Sequence, residues 1–176
     1  MDAVAAKPYG VNESPEERTV SANKLNFSHL IAVREEMVRN GDAKKALWAS
    51  EWGWNSLPTS WTGKPSIWGT VSAQTQIDYT LTALDRANRE WPWLAGMTLS
   101  QWRPVAPPND PIWGFALIDQ NNQPNALWSA LSQHKFPQQA ENGLLPAVNP
   151  YARYSGVWTF GPLGADIGWV QDSQFS

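Results

Sequence analysis

The stretch "LWASEWGWNS", residues 47–56, ends an apolar run on one carboxylate, Glu51, set among Trp48, Trp52 and Trp54. Desolvating an acid among indoles is costly unless a partner compensates the charge. Two other apolar runs end on residues suited to meet it: "DAVAAKPYG" leads to Tyr9, and "WLAGMTLSQW" leads to Gln101 and Trp102. If the three runs are parallel strands, their C-terminal ends share one rim, where loops build active sites. A carboxylate, a phenol, an amide and an indole plane then converge. That set suits attack on a glycosidic carbon. A retaining mechanism needs an ionised carboxylate as nucleophile, a second carboxyl group about 5–5.5 Å away as acid/base, and donors that hold the sugar. The Tyr9 phenol can donate to Glu51 and keep it charged and aimed, and Trp102 can form the floor of a sugar subsite. Trp54 joins the substrate-binding candidates, although Trp54, Trp61 and Trp68 read equally as loop anchors.

The elements that must position these residues alternate along the chain. A short strand at 3–6 runs into a turn at 8–10, followed by a polar loop. Residues 27–40 place Phe27, Leu30, Ile31, Met37 and Val38 at helical spacing, and Asn40-Gly41 supplies a left-handed stop. "KALWAS" reads as a buried strand ending at Glu51, before a Trp-, Gly- and Pro-rich loop over 52–70. The spacing predicts a helix over 72–90 with Ala73, Ile77, Leu81, Leu84 and Ala87 on its apolar face. Residues 93–102 form a strand of the continuous apolar type. "IWGFALIDQNNQPN" suggests a short extended piece and a turn, and 126–134 the last helix. This order implies an α/β fold of βα units on a parallel sheet. Residues 137–150 read as a linker, and 151–176 as the start of an incomplete β-rich domain, too short for a core of its own.

Composition narrows the class. The chain has 176 residues and a net charge of −3, with no basic footprint for nucleic acid. No run approaches the ~18 apolar residues of a membrane span, and the N-terminus lacks the features of a signal peptide. With no cysteine, disulfides and thiolate metal sites are excluded, and no His/Asp/Glu cluster has metal-ligand spacing. No cofactor is expected, and the oligomeric state is left open. The 12 tryptophans tilt the reading toward carbohydrate, because a flat indole packs on the C–H face of a pyranose.

Four segments carry a resemblance. "LWASEWGWNS" resembles the seventh-strand nucleophile motif of the cellulase-like clan of retaining (β/α)8-barrel glycoside hydrolases. "DAVAAKPYG" resembles their sixth-strand segment, and "GMTLSQW" the eighth, whose tryptophan underlies the sugar. "WGFALIDQNNQPNALWSAL" resembles their closing segment. The resemblance covers about residues 1–135, in the right order and spacing. It implies that residues 1–136 are the last three βα units of a TIM barrel, truncated before strand six. It further implies hydrolysis of O-glycosyl bonds in β-linked oligo- or polysaccharide, with Glu51 as nucleophile, Tyr9 as its hydrogen-bond partner and Trp102 as stacking platform. Secretion would fit such an enzyme.

Two departures from the pattern stand out. The position two before Tyr9, often histidine in these motifs, is Lys7. The clan's acid/base, typically within Asn-Glu-Pro after the fourth strand, has no counterpart here. Glu13 lies in a loop on the correct rim, while Glu35, Glu36 and Glu90 fall on predicted helices. Asp110 and Asp119 read as turn formers. Trp91, Trp93 and Trp128 read as helix–barrel packing, and His29 and His134 as surface or capping residues. The alternative to a glycosidase is a non-catalytic carbohydrate-binding or structural fragment.

Overall fold

The computed structural model describes residues 2–21 and 23–136, together with short strands at 154–155, 159–161, 164–166 and 174–175. Two units are distinguished, Met1–Lys135 and Phe136–Ser176.

The first unit holds three parallel strands in the order β1-β2-β3: β1 (Ala3–Ala6), β2 (Ala46–Trp52) and β3 (Leu94–Leu99). Helix α1 (His29–Arg39) joins β1 to β2, and α2 (Ala73–Glu90) joins β2 to β3. A 3-10 turn (Pro111–Phe115) and α3 (Ala126–Gln133) follow. Helix α1 stops as its sequence dictates. Gly41 takes φ +79°, its N–H reaches the Val38 carbonyl at 3.1 Å and that of Asp42 the Met37 carbonyl at 2.8 Å, a Schellman closure. Helix α2 starts on Ser72, whose hydroxyl accepts the Thr75 N–H at 3.0 Å.

The core lies between the helices and one face of the sheet. Leu47, Ala49 and Trp52 of β2 pack there with Phe27, Leu30 and Trp91. The opposite face carries Ala3, Ala5 and Trp48, all exposed, with Trp48 44% accessible.

Two local expectations are corrected. The buried stripe of α2 is Gln76, Thr80, Ala83, Arg86 and Ala87, whereas Ile77, Leu81 and Leu84 are half-buried and Ala73 is exposed. Gln76 and Arg86 win their positions because they satisfy loop carbonyls. Gln76 Nε2 donates to the carbonyls of Trp54 (2.6 Å) and Gly114 (2.7 Å). Residues 112–115 form part of the 3-10 turn rather than an extended piece, because Asp110 caps the Ile112 N–H at 3.0 Å and Pro111 sets the first turn.

In the second unit, β4 (Tyr154–Ser155) pairs antiparallel with β7 (Gln174–Phe175), and β5 (Thr159–Gly161) with β6 (Gly164–Asp166). The segment read as a linker, 137–150, lies outside the described residues.

Candidate functional site

Glu51 owes its position to a bulge. Between the pairs Ala49↔Met97 and Trp52↔Leu99, β2 advances one residue more than β3. The side-chain alternation of a strand would otherwise put Ala49 and Glu51 on the same core-facing side. The extra residue returns Trp52 to the core, 1% exposed, and leaves the Glu51 carboxylate 37% exposed beyond it. Neighbouring strand ends come into register around it. Tyr9 bridges in parallel to Gly53, and the Ser100 N–H reaches the Trp52 carbonyl at 3.1 Å.

Both carboxylate oxygens are engaged. The Tyr9 hydroxyl donates to Glu51 Oε2 at 2.7 Å, and Lys7 Nζ stands 2.7 Å from Oε1. Ser100 Oγ lies 3.1 Å from the Tyr9 oxygen. Because the single Tyr9 proton goes to Glu51, the Ser100 hydroxyl is the donor in that pair. The bond from Lys7, then that from Tyr9, holds the Glu51 carboxyl below its ordinary value, against the opposing effect of burial. Burial first, with the adjacent Glu51 charge adding to it, pushes the Tyr9 phenol up to about 12, although the bond from Ser100 works the other way. The Tyr9 ring is fixed by Trp68 at 6.0 Å and Phe115 at 5.4 Å, centroid to centroid.

The remaining sequence candidates divide. Gln101 follows β3 and pairs in parallel with Ala116, so it stays on the rim. Trp102 is 57% exposed, and its ring stands perpendicular to that of Trp128 at 4.8 Å. Trp54 is not brought to the rim. It is 1% exposed, packed against Phe27 and Tyr79, and its indole N–H donates to the Glu13 carbonyl at 2.8 Å. That buried bond makes it a loop anchor in the core. Glu13 turns its carboxylate toward Lys24 at 3.5 Å, and Glu90 is held by Arg18, Arg86 and Arg89. No hydrogen bond or ion pair joins a second carboxylate to the Glu51 group among the described residues. Nor does any group of three or more His, Cys, Asp or Glu among them suit a metal ion.

Sequence reasoning missed two members of this group. Lys7 is an i−2 neighbour of Tyr9 and shares its side of an extended chain, a signal that was present. Ser100 lies one residue before Gln101 and carried none. His134, read as a surface or capping residue, stands 2.9 Å from Asp85 Oδ1 across α3 and α2, a partner that chain spacing does not reveal. Asp119 does close its turn, its Oδ1 accepting the N–H groups of Asn121 and Gln123, each at 2.8 Å.

The fold and the rim define an α/β unit with a three-stranded parallel sheet and helical crossovers. Its fold is similar to that of a family 39 glycoside hydrolase from the gut symbiont Bacteroides cellulosilyticus WH2, with a TM-score of 0.51 and 18% sequence identity. The match covers 74% of this chain and 26% of that one, so the chain spans about a quarter of its structural relative. No family model matches the sequence, and no curated protein does.

Proposed function

We propose that the first unit is the closing part of a (β/α)8 barrel and that Glu51 is the nucleophile of a retaining glycosidase acting on β-linked oligo- or polysaccharide. The observation that carries this reading is the pair of contacts on Glu51. A strand-end carboxylate is kept ionised and aimed by Tyr9 and Lys7 from the adjacent strand, each at 2.7 Å. The order of the rim motifs and the likeness in fold to a glycoside hydrolase support it.

In the proposed reaction an oxygen of Glu51 forms a bond to the anomeric carbon as the bond to the leaving oxygen breaks. The leaving group departs with the electron pair. Water then adds to the anomeric carbon of the glycosyl ester, restoring the carboxylate and releasing the sugar and a proton. Attack through Oε1 requires Lys7 to swing aside, which its 59% exposed side chain allows. Tyr9 stays on Oε2 and steadies the departing and returning charge. Trp102 offers an exposed indole, and Gln101 an amide for a sugar hydroxyl.

A specific observation favours a second reading, a non-catalytic sugar-binding surface: both oxygens of Glu51 are occupied, and no acid is joined to them among the described residues. Aryl glycosides whose leaving groups need no protonation separate the two readings. Hydrolysis that disappears in Glu51→Ala supports the nucleophile. Equal residual rates in both proteins would remove it.

A further inference from the structure

We propose that a 290 Å³ pocket between the loops following β2 and β3 is a second subsite for a neutral sugar, separate from Glu51. The ligand would then be an oligosaccharide chain rather than a single glycoside. The inference rests on the glycosidase reading for the direction of the chain along the rim, and on the pocket alone for binding.

Two indoles form its apolar wall, Trp61 and Trp113. Each spends its N–H inside its own loop. Trp61 Nε1 donates to the Lys64 carbonyl at 2.9 Å, and Trp113 Nε1 to that of Pro107 at 3.0 Å. The rings are therefore oriented before any ligand arrives, which spares binding the cost of ordering them. With their edges satisfied, what they offer is ring surface, the part that packs on pyranose C–H groups. Arg103 stands over the Trp113 ring at 5.8 Å without lining the pocket.

The other wall supplies hydrogen bonds of both senses. Gln120 uses Nε2 on the Pro108 carbonyl at 3.0 Å, leaving its amide oxygen as an acceptor. The Ser56 hydroxyl and the Asn121 amide line the pocket with no side-chain partner among the described residues. No basic residue lines it, so an anionic sugar would find no counter-charge. A different cavity, of 360 Å³ against β1 and α1, is lined by Leu25, Leu30, Val33 and Ile67 together with Lys7, Tyr9, Asn26 and His29, and so belongs to the Glu51 site. The pocket adjoins the rim site through Ala116, which both lines it and pairs with Gln101.

The test is calorimetric titration of the whole chain carrying Glu51→Gln, with xylo- and cello-oligosaccharides of increasing length. Affinity should rise about tenfold or more, equivalent to about 1.4 kcal/mol, between disaccharide and tetrasaccharide. That gain should vanish with Trp61→Ala. It should shrink about threefold with Asn121→Ala, an exposed side chain whose removal breaks no internal bond, so this variant keeps the test decisive if Trp61→Ala does not fold. Length dependence unchanged in Asn121→Ala, or no gain with length in the parent, overturns the subsite. Glu51-dependent aryl glycoside hydrolysis without the gain in affinity removes the subsite and leaves the nucleophile standing. The gain without such hydrolysis does the reverse.

Discussion

The Lys7 ammonium stands 2.7 Å from Oε1 of Glu51, while the Tyr9 hydroxyl, two residues on, holds Oε2 at the same distance. One strand end thus grips both arms of a carboxylate on the next. Removing the ammonium with Lys7→Met should raise the Glu51 carboxyl toward its ordinary value of 4.5. The sign follows from linkage. A depressed folded-state value gives stability present above the unfolded value and lost as pH falls through the folded one. In the variant the folded value lies closer to the unfolded one, so less stability is lost and the loss is complete at a higher pH, while the acid limb of any Glu51-dependent activity moves up. A carbon-detected titration of the Glu51 carboxyl checks this directly. The pair is exposed, so the cost to stability should stay within about 1 kcal/mol; an unshifted carboxyl would remove Lys7 from its role.

Tyr9→Phe removes a donor to a charged acceptor, worth about 1.5–3 kcal/mol, so Glu51-dependent turnover should fall about ten- to hundredfold. The phenol is also a marker. Because its folded-state value is raised to about 12 from 10.0, it contributes stability that is full below 10 and lost as pH rises through 12. Wild type should lose part of its alkaline stability over that window, and Tyr9→Phe should not. Denaturation midpoints at several alkaline pH values give the comparison.

The strand ends, the helix stops and the Tyr9–Glu51 pairing were legible because each is written in local pattern: an apolar run, a punctuating glycine, a residue at the end of a strand. What escaped depends on register and on loops. The bulge at Glu51 shows only when two strands are paired, and Ser100 matters only because Tyr9 lies beside it. Trp54 reads equally as a rim indole or a loop anchor from sequence, and it is the Glu13 carbonyl, 41 residues earlier, that takes its N–H and decides for the anchor. On α2, hydrophobic periodicity found only part of the stripe: Ala87 is buried and Leu84 packs on the core, but Gln76 and Arg86 are buried to serve loop carbonyls rather than to fill space.

Arg86 should be the costliest of these to lose. It is fully buried, donates to the Pro15 carbonyl and to Ser28 Oγ at 2.7 Å, and lies 5.0 Å over the Trp91 ring. Its Nε reaches Glu90 at 3.0 Å, and Arg18, with Arg86 and Arg89, pulls the Glu90 carboxyl down to about 2. Arg86→Ala strands buried acceptors and opens a void, and should cost about 3–5 kcal/mol. Urea unfolding measures it; a loss below about 1 kcal/mol would mean the loop over 15–28 is held by other contacts.

Gly10 follows Tyr9, and its N–H reaches the Gly53 carbonyl at 3.1 Å, tying the two strand ends together beside the site. A Cβ placed there would stand 1.9 Å from Trp54 Cε2. Trp54 has no room to yield, since it is 1% exposed and fixed by the Glu13 carbonyl. Gly10→Ala must therefore lift the segment from Gly53 and carry Tyr9 with it, at a cost of about 1–3 kcal/mol from overpacking. Gly41→Ala is the control: its φ is +79°, yet nothing lies within 4 Å of the added carbon, so its cost is conformational and about 1 kcal/mol. Both variants should melt earlier than wild type, but only Gly10→Ala should return the Tyr9 phenol toward 10.0 in an ultraviolet titration. An unmoved phenol in Gly10→Ala would show that the hydroxyl keeps its place without this glycine.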